Sequence, residues 1–67
     1  MFHSTWAVTV RMEKGGQYAE YDDTMSAVGD IPPTEEHVIE KAKDMIIDAH
    51  PEMKAGRVTV ARAHEIP

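Results

Sequence analysis

Apolar and polar residues alternate without a break along the first part of the chain. Trp6, Val8, Val10 and Met12 fall on one side, Thr5, Ala7, Thr9 and Arg11 on the other. A period of two marks a strand with one face buried. Lys14-Gly15-Gly16-Gln17 follows, and a two-residue glycine loop accepts the positive φ of a primed hairpin turn. With the glycines at the loop, the register is predicted: Met12 opposes Ala19, Val10 opposes Tyr21, Val8 opposes Asp23 and Trp6 opposes Met25. On the other face Arg11 meets Glu20, an opposite-charge cross-strand pair. Asp23 is the one misfit, and a slip of one residue would invert both patterns.

The pattern fades after Met25, so Ser26 to Pro33 is predicted as a loop, with Pro33 unable to donate to a ladder. Thr34 reads as a helix N-cap, and Glu35 and Glu36 sit where the helix dipole favours acids. The helix predicted over 35–49 gathers Met45, Val38, Ala49, Ala42, Ile46 and Ile39 into an arc of roughly 120°, a core-facing stripe. His50-Pro51 ends it, because the residue before a proline disfavours helical angles. Glu52 to Gly56 is predicted as a turn and Arg57 to Ala61 as a third strand. Continuation towards Ile66 would put Arg62 and His64 on the face of Val58 and Val60. It therefore requires that this face open to water or that a bulge intervene.

A helix that carries the chain back across the sheet makes the third strand parallel to the second, and a right-handed crossover sets it beside the first. The expected fold is α+β, a single two-layer ββαβ domain over residues 1–67. Its three-stranded, mostly antiparallel sheet has order 2-1-3 and one helix packed on one face. The other face stays open.

The chain has 67 residues, no Cys, no Leu and no Asn. A domain of this size buries only about 60% of its unfolded surface. Small domains usually add a disulfide, a metal or a second copy. Without Cys, disulfides and thiolate metal sites are excluded, and a homodimer through a strand edge or the open sheet face becomes the expectation. Absence of Cys fits a reducing compartment. The first residues lack the basic and apolar regions of a signal peptide, and no stretch is apolar enough for a membrane span. A cytoplasmic protein without membrane contact is expected.

Charge changes the picture more. Residues 15–40 carry seven acids and no Lys or Arg, while 1–14 and 41–67 each sum to +1, for a net −5. A field of that sign repels phosphate backbones and attracts basic surfaces. On the helix, Glu36, Glu40, Asp44 and Asp48 form an i, i+4 acidic row, with Lys43 near Glu36 and Glu40 and Lys41 near Asp44 and Asp48. The row is an ordinary solvated face or a ridge that docks on a basic partner. It lacks the wrapping loop of a hard-cation site. Ile47 falls among these acids on the helical wheel, either as a stray surface residue or as an apolar anchor ringed by charge.

Four histidines, His3, His37, His50 and His64, form no H-x-x-x-H or H-E-x-x-H pattern, so neither metal nor cofactor is expected. Glu36-His37 and His64-Glu65 are neighbours whose side chains diverge, which makes no acid–base dyad. Ser4, Ser26 and the threonines lack a nucleophile elbow, and no catalytic residue is assigned. Trp6 and Tyr21 share the core face, leaving Tyr18 as the lone free aromatic beside Glu20 and Asp22, a poor platform for bases.

The hairpin ending in Gly15, Gly16 and Tyr18, the Gly29-Asp30 pair, the Thr34-Glu35-Glu36 helix start and Ala42 together resemble the N-terminal domain of HicB-type antitoxins over roughly residues 8–50. The resemblance implies a partial RNase-H-like sheet and neutralisation of a small toxin RNase by contact. The loop after the second strand departs from that family.

These observations converge on a non-enzymatic interaction module that inhibits or sequesters a partner protein with a basic surface through Glu36, Glu40, Asp44, Ile47 and Asp48. An antitoxin-like or phage-encoded host modifier is an alternative. A nucleic-acid-binding sheet using Arg11, Arg57 and Arg62 is a further one.

Overall fold

The computed structural model describes residues 1–67. Its elements are β1 (Phe2–Lys14), β2 (Gln17–Gly29), α1 (Glu35–Ala49), a 3₁₀ turn (Pro51–Ala55) and β3 (Arg57–Ile66). β1 is central and pairs antiparallel with both neighbours, giving the order β2-β1-β3 with α1 against one face. This is the expected ββαβ arrangement.

Gly15 and Gly16 have φ of 55° and 82°, so the hairpin turn is of the primed kind that matches strand twist. It sets the predicted register, from Lys14 opposite Gln17 to Trp6 opposite Met25. The ladder then continues through Ser4 opposite Ala27 to Phe2 opposite Gly29. Residues 26–29 therefore belong to β2 and not to a loop. The buried phase of Met25 carries on into Ala27, a side chain too small to announce itself in the sequence.

β3 reaches Ile66, and a bulge makes this possible. Arg11 pairs with Val60 but Met12 with Val58, so Thr59 is the extra residue. Its hydroxyl points to the Arg11 carbonyl at 3.4 Å. The bulge reverses the phase of the strand: Val58 stays on the helix side opposite Met12, whereas Val60, Arg62 and His64 lie on the open face with Arg11, Thr9 and Ala7. Val58 and Val60 do not share a face, contrary to the alternation read from sequence.

The core lies between β1 and α1. Trp6, Val8, Val10 and Met12 from β1 meet Val38, Ala42 and Ile46 from α1, with Ala19, Met25, Ala27 and Ala63 on the flanks. Trp6 Nε1 donates to Ser4 Oγ at 2.8 Å, so its one polar atom is satisfied within its own strand face. Thr34 caps the helix as expected, its Oγ1 accepting from the His37 amide at 3.1 Å. At the other end the His50 amide donates to the Ile46 carbonyl at 2.8 Å before Pro51 turns the chain.

Two details of the core differ from the predicted stripe. Met45 is 46% exposed and Ala49 is exposed, whereas Met53 in the 3₁₀ turn is 2% exposed. The stripe is thus Val38, Ala42 and Ile46, bordered by half-buried Ile39 and Ile47, and the turn supplies the apolar lid that Met45 was expected to provide. Gly56 lets the turn close on β1, because a Cβ there would lie 2.8 Å from the Glu13 carbonyl oxygen.

Lengths explain what remains uncovered. Fifteen helical residues span about 22 Å, while thirteen strand residues span about 43 Å. The molecule measures 40 × 19 × 15 Å. Phe2, Val28 and Ile31 at the far end are exposed as a result.

Candidate interaction surface

Because Val38, Ala42 and Ile46 face the sheet, the opposite side of α1 is fixed by helical geometry. Glu36, Glu40, Asp44 and Asp48 occupy it and all four are exposed. Successive carboxylates of the row are separated by about 6 Å of helix rise. The one counter-charge seated on the row is Lys43, whose Nζ lies 3.1 Å from Glu40 Oε1. Lys41 makes no ion pair with Asp44 or Asp48, and Glu35, Glu36, Asp44 and Asp48 have no cationic nitrogen within 4 Å.

Ile47 does not stand free among these acids, although the helical wheel places it between Glu36 and Glu40. It is half-buried and packs against the core cluster beside Ile39. The helix is rolled so that the flank bearing Ile39, Lys43 and Ile47 is partly covered, and the flank bearing His37, Lys41 and Met45 is exposed.

The open face of the sheet is polar and small in the middle. Thr5, Ala7 and Thr9 run down β1, flanked by Asp22, Thr24 and Ser26 of β2 and by Arg62, His64 and Ile66 of β3. Thr9 Oγ1 donates to Asp22 Oδ1 at 3.0 Å. Near the hairpin turn the Arg11 guanidinium lies 3.9 Å from the centre of the Tyr18 ring, and its Nε lies 3.5 Å from Glu13. Arg11 therefore engages Glu13 and Tyr18, although Glu20 is its partner in the ladder. One side of the Tyr18 ring is occupied by the cation.

Both sheet edges are blunted. On β2, the Thr24 amide is bonded by Asp23 Oδ1 at 2.7 Å and the Thr24 carbonyl by the Tyr21 hydroxyl at 2.8 Å. Asp23, the misfit of the predicted register, is thus exposed and used locally. Burial, and secondly the Asp23 carboxylate, push the Tyr21 hydroxyl above its ordinary value near 10. On β3 the Thr59 bulge breaks the regular ladder. Side chains on edge groups, charges and bulges are the devices that keep sheets from pairing edge to edge.

A groove of about 370 Å³ lies away from the acidic row, between the tail of β2 and the start of α1, among Met25, Ala27, Ile31, Pro33, His37 and Lys41. No group of three or more His, Asp or Glu side chains is placed to hold a metal ion, and no helix is long and apolar enough to cross a membrane. The features that sequence reading missed are the placement of Arg62 and His64 on the open face and its juxtaposition with Asp22. The signal was Ala63, a small buried residue out of step with Val58 and Val60.

Comparison of the chain with protein-family models, with curated proteins and with solved structures gives no match.

Proposed function

We propose that this protein is a non-enzymatic interaction module whose acidic helix side binds a basic surface of a partner protein and thereby inhibits or sequesters it. The observation that carries the reading is the row Glu36, Glu40, Asp44 and Asp48, fully outside the core, with a single counter-ion at Glu40. An uncompensated row of one sign raises the local concentration of oppositely charged partners and speeds their encounter, an effect that falls with ionic strength. The stripe that holds α1 down is on its other side, and of the four carboxylates only Glu36, in the first turn, also favours the helix through its dipole. Ile47 contributes from the margin, by seating the helix.

Self-association belongs to the same reading. Twelve buried residues of 67, without a disulfide, make a thin core. A homodimer would present two acidic rows and so bind a multivalent basic partner more tightly than one copy could. A small toxin RNase, the partner that the HicB-type resemblance implies, is one candidate if it carries a basic surface.

Affinity capture from lysate of the source cells, run with wild type and with Glu40→Lys/Asp44→Lys, tests the row. Partners held by wild type at low salt are expected to be released by about 0.3 M salt and to be missing from the charge-reversed variant. Recovery of the same partners by both proteins would refute the surface.

A further inference from the structure

We infer that the open face of the sheet is the self-association surface, with the two-fold axis parallel to β1, so that β2 of each copy lies across β3 of the other. The inference deepens the reading above by naming one partner, a second copy of this chain, and the face that receives it.

The first ground is surface. A compact monomer of 7.5 kDa would expose about 4,200 Å² and have a radius of gyration near 11 Å. This chain exposes 4697 Å² and its radius is 12.3 Å. The excess goes with an elongated unit whose sheet is covered on one side only. The second ground is exclusion. Edge pairing would have to displace Asp23 and Tyr21 from the Thr24 backbone on β2, and would meet the bulge on β3.

The third ground is charge, and it selects the axis. On the open face Glu20 and Asp22 stand on β2, and Arg57 and Arg62 on β3, with β1 between them. None of the four has an oppositely charged group within 4 Å in its own chain. Asp22 and Arg62 both flank Thr9, on strands about 10 Å apart, and they form no ion pair within one copy. An axis across the strands would lay acidic β2 over its own copy. An axis along β1 lays Asp22 over Arg62 of the second copy, and Arg62 over the second copy's Asp22, in two equivalent pairs. Thr5, Ala7 and Thr9 lie on the axis, and their small side chains let two sheets approach to about 10 Å; Arg11 and Glu13, further along the same axis, are paired with each other within each copy. Both acidic helix rows remain on the outside.

Equilibrium sedimentation of the full chain tests this. Wild type is expected to dimerise, and Asp22→Arg and Arg62→Glu are each expected to raise the dissociation constant about a hundredfold, because each sets like charges face to face twice. Mixed in equal amounts, the two variants are expected to form a heterodimer as tight as wild type, since both of its pairs are then opposite in charge. The double variant Asp22→Arg/Arg62→Glu should also self-associate. Wild type that stays monomeric, or variants that dimerise unchanged, would overturn the proposal. So would a mixture that shows no heterodimer while each variant keeps its native circular dichroism. Neither substitution touches α1, so binding of a basic partner is read out separately.

Discussion

On one side of β1, Trp6, Val8, Val10 and Met12 are closed off from water by α1 and the 3₁₀ turn. On the other, Thr5, Ala7, Thr9 and Arg11 are shielded only by neighbours in the same sheet. The two sets alternate along one strand, so backbone pairing stabilises both equally. What differs is the layer above them. Hydrophobic stabilisation comes from one side of the sheet, and the residues on the other side stay only partly shielded from water. The same division holds for α1, whose inner stripe is buried while its outer row is charged.

The largest expected effect lies on the covered side. Ile46→Ala or Met53→Ala should each cost about 2–5 kcal/mol in urea unfolding, enough to unfold much of a domain this small. Ser26→Ala on the open face should change stability by no more than about 0.5 kcal/mol. Equal losses on the two sides would erase the contrast.

The covering layer is pinned at both ends, which gives intermediate effects. At the β1 end, Gly56→Ala would drive a methyl against the Glu13 backbone, and a cost of about 1–3 kcal/mol is expected. At the opposite end, Thr34→Ala removes the acceptor of the His37 amide and should cost about 1 kcal/mol, read as a lower melting temperature.

The smallest effect is confined to alkaline pH. Tyr21 is held neutral by burial and by Asp23, so its folded value lies above the unfolded one near 10. Its contribution is therefore fully present below pH 10 and is lost as the pH rises through the folded value. Tyr21→Phe should flatten the loss of melting temperature above pH 10. An unchanged alkaline slope would show that the hydroxyl stays at its ordinary value.

Much of this fold was legible in the chain, for local reasons. The glycine turn and the alternation of Trp6 to Met12 dictate the hairpin, and Thr34 and Pro51 bracket the helix. What was hidden depended on tertiary fit. The tail of β2 carries only Ala27 as an inward side chain, the Thr59 bulge is chosen by the partner strand, and Met53 is buried because Gly56 lets a turn approach β1. The acidic row was legible because it opposes the stripe whatever the helix's exact roll. The position of Ile47 was not, because Met45 and Ile47 border the stripe on opposite sides and packing against the sheet decides which is covered.

Urea unfolding of Glu40→Gln/Asp44→Asn/Asp48→Asn against wild type is the most direct test of the division between folding and display. The expected result is equal or slightly higher stability, because like charges four apart on a helix repel by about 0.2–0.5 kcal/mol per pair. A loss of more than about 1 kcal/mol would mean that these carboxylates hold the structure together, and that the acidic side of α1 is not free for a partner.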